Sequence, residues 1–365
     1  MSEHISNLVG ADLDRIDVVC IANYTNLNVL RSIHRLQGSP MGSLFFKPLR
    51  FNLKGVNGAI IVINSETDDL MTPSGIKRAR KQFMPALAYA ADLGAKVVVL
   101  GASLKRLFGE FFDDKVDSEG GFMGKRLSLK EHYPEIVFTN GDNGTASILL
   151  QEINDIISRA GVSPGSGDKI AVLGAGLLGI ESIKHLINIG YRDSEIIIVS
   201  SHSAEDKKVV GDRSIRIYDS LSNIEGNVDL LICCAHKNQV IAEQIDVCGI
   251  RFVLDVAAPA AFPQNEYLKS HSVYRQDGGN AYSTDLNYEF DPNVIDLVEH
   301  EIYGCFAEGT SIALSIKNKG AQYAKILKEL NWFTVSEENK KMVSDFFSIA
   351  NFSKHPTPLC FGRKE

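Results

Sequence analysis

The sequence predicts an α/β protein: an N-terminal α/β domain, a central doubly wound parallel sheet of Rossmann type, and C-terminal helices. Three observations carry that prediction. Short apolar runs alternate with longer helical patterns through most of the chain, as parallel strands joined by crossover helices do. One run at mid-chain, K-I-A-V-L, leads straight into Gly174, Gly176 and Gly179. With 365 residues, 44% of them hydrophobic and 23% charged, the chain is large enough to fill more than one ordinary core.

The first segment, 1–160, reads as an α/β substrate-binding domain. Its candidate strands are 18–22, 59–64, 96–100 and 135–139. A helix over 76–93 places Ile76, Ala79, Phe83, Leu87 and Ala90 on one face. Lys77, Arg78, Arg80 and Lys81 stand on the opposite face of its first turns, either as a solvated surface or as a dock for an acidic partner. The turn-rich stretch 161–168 is the clearest linker.

A second domain, 165–285, is built around the glycine turn. Gly174, Gly176, Leu177, Leu178 and Gly179 open a helix whose stripe is Leu178, Ile180, Ile183, Leu186, Ile187 and Ile189, with Gly190 as its end. A second apolar run, 195–200, follows at βαβ spacing. A strand, a tight turn and a helix start together present backbone N–H groups and the positive end of a helix dipole to a pyrophosphate. Further strands are expected at 228–233, 251–255 and 272–275. Their carboxyl ends bring Ala235, His236, Ala257 and the Asp277–Gly278–Gly279 turn toward the nicotinamide side. His236 reads as an acid–base group or as a solvated loop residue.

The end of the second strand selects between dinucleotides. A carboxylate there bonds the ribose hydroxyls of NAD; this chain has Ser200, Ser201 and His202, with Lys207 and Lys208 soon after. Hydroxyls and cations suit a 2′-phosphate, so NADPH is the expected cofactor, although Glu205 and Asp206 also stand nearby.

The remainder, 286–365, reads as a helical segment, with helices over 292–301, 305–316 and 323–330 and a loosely packed tail from 354. Gly304 breaks one helix and opens the next, leaving Cys305 near a helix start, where the dipole stabilises a thiolate. Such a thiolate takes an acyl group from a thioester and holds it for hydride transfer; the plainer reading is a small buried hydrophobe. Thr139 or Asn140 is then a candidate neighbour of the developing oxyanion. Glu308 reads as a helix cap rather than a proton carrier, and His300 as a possible donor.

In order along the chain stand the helix with Arg78–Gln82 leading to V-L-G-A-S at 99–103, T-N-G-D-N-G-T-A at 139–146, the glycine turn, the D-G-G turn, and G-C-F-A-E at 304–308. On these motifs the chain resembles the long-chain acyl-ACP reductases, the aldehyde-forming enzymes of cyanobacterial alkane biosynthesis. The resemblance implies NADPH-dependent reduction of an acyl thioester, carried by an acyl-carrier protein or CoA, through an acyl-Cys305 intermediate. It places Cys305 and Glu308 in the catalytic motif. The alternatives are an NAD(P)-dependent amino-acid or imine dehydrogenase without covalent catalysis, a reductase acting on aminoacyl-tRNA through a cysteine thioester, and a non-catalytic NADP-binding partner.

Bulk properties exclude other classes. A net charge of −7 argues against a nucleic-acid binder. No run reaches membrane-spanning length and the N-terminus lacks a signal-peptide pattern, so a cytoplasmic protein is expected. Six cysteines without regular spacing fit reduced thiols, with Cys233 and Cys234 inside an apolar run, and none shows zinc-site spacing.

Overall fold

The structure is a computed structural model describing residues 15–108, 129–201, 206–235, 248–257, 260–261, 273–356 and 360–362. The chain forms two compact units. Unit 1 comprises Met1–Gly141, Ser283–Thr334 and Lys341–Phe352; unit 2 comprises Asp142–Tyr282, Val335–Lys340 and Ser353–Glu365. The division falls at Gly141–Asp142 rather than in the turn-rich 161–168 stretch, and residues after 285 contribute to both units. The helix that follows Gly141 explains the shift, because its Leu149, Ile153 and Ile156 belong to the core of unit 2.

Unit 1 begins with β1 (Val18–Tyr24), α1 (Leu27–Gln37), β2 (Leu49–Leu53), β3 (Val56–Glu66), α2 (Pro73–Asp92), β4 (Val97–Leu100) and β5 (Val137–Thr139). Strands β3, β1, β4 and β5 lie side by side in parallel, and β2 adds antiparallel beside β3. β1 is buried along its whole length, as a strand covered on both faces must be. On one face α2 packs Ala79, Phe83, Ala86, Leu87 and Ala90 against Val19, Ile21, Ile61 and Ile63. Thr72 caps this helix by accepting from the Gly75 N–H at 3.1 Å, and Pro73 takes the first position, where a missing N–H costs nothing.

Unit 2 contains α3 (Asp142–Ala160), β6 (Ile170–Leu173), α4 (Leu177–Asn188), β7 (Ile196–Val199), β8 (Lys207–Val210), β9 (Arg213–Tyr218), β10 (Leu230–Cys233), β11 (Phe252–Asp255), β12 (Tyr274–Asp277) and β13 (Asn280–Tyr282). Six strands run parallel in the order β9-β7-β6-β10-β11-β12. Counted from β6 and passing over β8, that is 3-2-1-4-5-6, the dinucleotide-binding order with its reversal beside β6. The expected α/β class and Rossmann-type sheet are therefore what the chain adopts. β8 is an extra antiparallel edge strand beyond β9.

The chain then runs through β14 (Leu286–Tyr288), β15 (Glu301–Tyr303), α5 (Gly304–Lys319), α6 (Ala321–Glu329), α7 (Glu337–Ala350), β16 (Ser353–Lys354) and β17 (Cys360–Gly362). Two expectations are corrected here. The helix expected over 292–301 is a single 3₁₀ turn, Pro292–Ile295, followed by β15. Asp291 caps the turn, but Asp296 adopts φ 57°, a left-handed conformation that stops a helix. The tail from 354 is not simply loose, since β17 pairs antiparallel with β12. Helix α7 was not anticipated. Its Val343, Phe346, Phe347 and Ala350 are buried, but they are spread through a Glu- and Lys-rich stretch that masks the stripe.

Helix α5 runs inside unit 1, with Phe306 to Ser315 all buried. A Cβ on Gly309 would overlap the Val99 side chain, and one on Gly101 would overlap the Phe306 ring. Small residues at these two points let the helix lie directly on β4. Phe306 thereby meets Gly101, just past the carboxyl end of β4, which sets the start of α5 at the carboxyl edge of the sheet.

Candidate functional site

The three glycines after β6 do three different jobs. Gly174 has φ +106°, which turns the chain sharply, and a Cβ there would come within 3.0 Å of the Ala235 backbone nitrogen. Gly179 brings helix and strand together: its Cβ would overlap the carbonyl oxygen of Gly174. Gly176 is the N-cap of α4, and among the described residues no atom lies within 4 Å of where a Cβ would stand, so none of them packs where its side chain would be. Leu177 beside it is 47% exposed, and Leu178 is half-buried. A helix start left open in this way is the place where a pyrophosphate approaches backbone N–H groups.

At the carboxyl ends of β11 and β12 a buried ion network shapes the loops. Asp255 accepts from the N–H groups of Ala257 (3.1 Å) and Ala261 (3.3 Å), and pairs with Arg275 at 3.3 Å. Arg275 also grips Asp277, which opens the D-G-G turn. Glu152 on α3 accepts from the Gly279 N–H at 2.7 Å and lies against Gly278. Charges this deep are held by pairing with one another, and those pairs fix both loops. Ser200, half-buried at the end of β7, donates its N–H to Tyr218, and Ser201 is exposed. His202 and His236 lie outside the described residues. Cys233 is fully buried, and burial pushes the half-buried Cys234 thiol up to about 12, as packing residues require.

In unit 1 the turn after β5 meets the start of α5. Gly141 has φ +74°, and a Cβ there would overlap Cys305 itself. Its N–H donates to the Thr139 hydroxyl at 2.9 Å, and that hydroxyl donates to the Glu308 carboxylate. Thr139 and Glu308 are both fully buried. Asn140, 6% exposed, turns its amide toward the Phe333 carbonyl at 3.4 Å. Cys305 is half-buried in the first turn of a 16-residue helix. Burial pushes the adjacent Cys20 thiol well up, and the nearby Cys305 pushes it further. The structure thus gathers Cys305, Thr139 and Glu308, but it puts the latter two behind the cysteine. Glu308 is not in the capping position: the N-cap is Tyr303, so Glu308 sits two residues beyond the N3 site of a capping box. His300, at φ 65°, is engaged through Nδ1 with the Leu286 carbonyl at 2.8 Å.

Sequence reading missed a polar group at the carboxyl edge of the unit 1 sheet. Asn23 donates to the Thr67 hydroxyl at 2.9 Å and accepts from the Ser103 N–H at 3.1 Å, tying the ends of β1, β3 and β4. Beside it lie Tyr24, Glu66, Asp69 and Arg78. Burial raises the Tyr24 phenol, and the Glu66 and Asp69 carboxylates raise it further. Burial raises Glu66 too, helped by Asp68 and Asp69. For Asp69 burial works upward, but the Arg78 bond and the Glu66 N–H hold it below the usual range. Of the expected basic cluster, Arg78 is thus paired with Asp69 and Arg80 donates to the Leu107 carbonyl. Lys77 and Lys81 are exposed.

The sequence matches no family model, and no curated relative aligns with it. Among solved structures it is similar to L-tryptophan dehydrogenase from Nostoc punctiforme, at 14% identity over 93% of this chain and 91% of that one, TM-score 0.36. Glutamate dehydrogenase from Peptoniphilus asaccharolyticus aligns at 12% identity over 93% and 76%, TM-score 0.37. A chorismate mutase/shikimate 5-dehydrogenase fusion protein from Clostridium acetobutylicum aligns at 11% over 86% and 98%, TM-score 0.36. At TM-scores this low the fold rests on the strand order itself. Among the described residues no helix is long and apolar enough to cross a membrane, and no cluster of side chains could hold a metal ion.

Proposed function

We propose that this chain is a nicotinamide-nucleotide-dependent oxidoreductase of the amino-acid or imine dehydrogenase type. The observation that carries the proposal is the open helix start at Gly176 beneath a 3-2-1-4-5-6 sheet. When bound, the nucleotide supplies the hydride donor or acceptor. Gly174 to Gly179 hold its pyrophosphate, and the loops tied by Asp255, Arg275 and Glu152 give the nicotinamide side a fixed floor. NADPH is the preferred form, on the serine hydroxyls after β7 and the lysines that follow.

The polar edge of unit 1 supports a small zwitterionic substrate. Glu66 and Asp69 suit an ammonium group, and the Arg78 side chain, 56% exposed, suits a carboxylate. The test is a coupled screen: NADP⁺ reduction with a panel of amino acids, and NADPH oxidation with 2-oxo acids plus ammonium. Turnover of a member of either panel, kept within about threefold in Cys305→Ser, supports the dehydrogenase. Absence of turnover in both directions removes it.

A second reading, NADPH-dependent reduction of an acyl thioester to an aldehyde, is favoured by one observation, the half-buried thiol in the first turn of α5. It fits the surroundings less well, because Thr139 and Glu308 are sealed from substrate and Asn140 is turned to Phe333. An acyl adduct on Cys305 from acyl-CoA or acyl-carrier thioesters, cleared by NADPH, would put this reading first.

A further inference from the structure

The β8–β9 hairpin adds a feature to unit 2 that the six-stranded sheet does not need. In its antiparallel register Lys207 stands directly opposite Arg216, and Arg216 is opposite Ile197 on β7. Residues opposite one another share a face, so the two cations project side by side. On the other face Ile215 and Val210 are buried. Tyr218, two residues further on, is opposite Val199, and its carbonyl receives the Ser200 N–H at 2.8 Å. The Lys207–Arg216 pair therefore stands two residues, about 7 Å, back from Tyr218 at the carboxyl edge, and the Arg216 guanidinium reaches toward that edge through its bond to the Tyr218 hydroxyl. In this fold that strand end meets the adenosine ribose.

Like charges directly opposite destabilise a strand pair. The hairpin neutralises its other arginine: Arg213 is bridged to Asp193 at 3.3 Å and to Asp212 at 3.7 Å. Among the described residues neither Lys207 nor Arg216 has an ion pair. Asp206 and Glu225 act on Arg216 only at longer range. Arg216 is instead aimed by Tyr218, donating to its hydroxyl at 3.1 Å with the guanidinium 5.9 Å from the ring centre. An oriented arginine beside an uncompensated lysine matches a phosphate monoester, one fork and one point charge for a dianion.

We propose that Lys207 and Arg216 clamp the 2′-phosphate on the adenosine ribose and make unit 2 selective for the phosphorylated nucleotide. Tyr218 is the positioning residue of the clamp. The inference rests on reading unit 2 as the nucleotide site, and the test separates the two.

Calorimetric titration of the full chain with NADP⁺, NAD⁺, 2′-AMP and 5′-AMP reads the clamp without turnover. NADP⁺ is expected to bind at least about tenfold tighter than NAD⁺, and 2′-AMP tighter than 5′-AMP. Arg216→Ala and Lys207→Ala should each remove most of that preference while leaving NAD⁺ affinity unchanged, and Arg216→Lys should restore part of it. Tyr218→Phe should weaken NADP⁺ alone, by a smaller factor. Equal wild-type affinities for NADP⁺ and NAD⁺ would overturn the clamp. So would an equal loss for both nucleotides in Arg216→Ala, which would mark the hairpin as structural. Failure of the wild type to bind any of the four ligands would instead overturn the nucleotide-site reading itself.

Discussion

At the carboxyl ends of their strands the two units present different kinds of surface. In unit 2 the turn after β6 is backbone: three glycines, one of them with no described neighbour where a side chain would stand. In unit 1 the edge is made of side chains from three separate stretches, Asn23 and Tyr24, Glu66 to Asp69, and Arg78, tied to a fourth through the Ser103 N–H. The first kind of site is written in consecutive residues because backbone geometry restricts what can occupy each position. The second is assembled by the fold, and no short window of sequence holds it.

The comparison is sharpest at glycines. Gly179 packs on a carbonyl oxygen that cannot move without breaking the turn, so Gly179→Ala should be the most damaging change, about 3 kcal/mol or more, read as loss of the chemical-denaturation transition midpoint. Gly176→Ala, three residues earlier, should leave stability within about 0.5 kcal/mol and weaken dinucleotide binding at least tenfold. If both variants lose stability equally, the division of labour in the turn is wrong.

In unit 1, Thr139→Val should cost roughly 1.5–3 kcal/mol in denaturant melts, since it strips the hydroxyl from a buried carboxylate. Restored stability in the double variant Thr139→Val/Glu308→Leu would confirm that the pair is a packing unit and not catalytic machinery. Full stability in Thr139→Val alone would contradict the buried bond.

Unit 2 carries an acid response at Glu181. Burial opposes ionisation of Glu181, but bonds and charges from Lys184 (2.7 Å) and Lys340 (2.6 Å) outweigh it and lower its pKa. A lowered carboxylate contributes stability above its unfolded pKa of about 4.3, and that contribution is lost as pH falls through the folded value. Glu181→Gln should cost about 1–3 kcal/mol at pH 7 and flatten the acid limb of a stability–pH curve. An unchanged acid limb would remove Glu181 from that role.

A small stability change is expected at the unit 1 edge as well. The Arg78–Asp69 pair is largely exposed on the arginine side, so Arg78→Ala should cost under about 1 kcal/mol. Its effect should appear in KM for the amino acid, with kcat little altered. An unchanged KM would move the substrate away from this edge.

Much of unit 2 was legible in the sequence. The apolar runs around 170, 196, 230 and 252 are buried parallel strands, and such strands read as continuous hydrophobic stretches. The start of α5 was also legible, because Gly304 marks it. The strands β2, β14 and β15 were not, being five residues or fewer and partly polar. The boundary at Gly141–Asp142 was hidden because α3 carries no mark of which sheet it covers. Arg78 was read as part of a basic surface, since its partner Asp69 precedes the helix and pairs with it only when Pro73 starts the turn.

Titration of the full chain with NADPH, followed by the nucleotide's own fluorescence, tests the central claim most directly. Saturable binding at a single site, displaced by NADP⁺ and lost in the stably folded Gly176→Ala, is the predicted result. No saturable binding at millimolar nucleotide, or undiminished binding in Gly176→Ala, would contradict it.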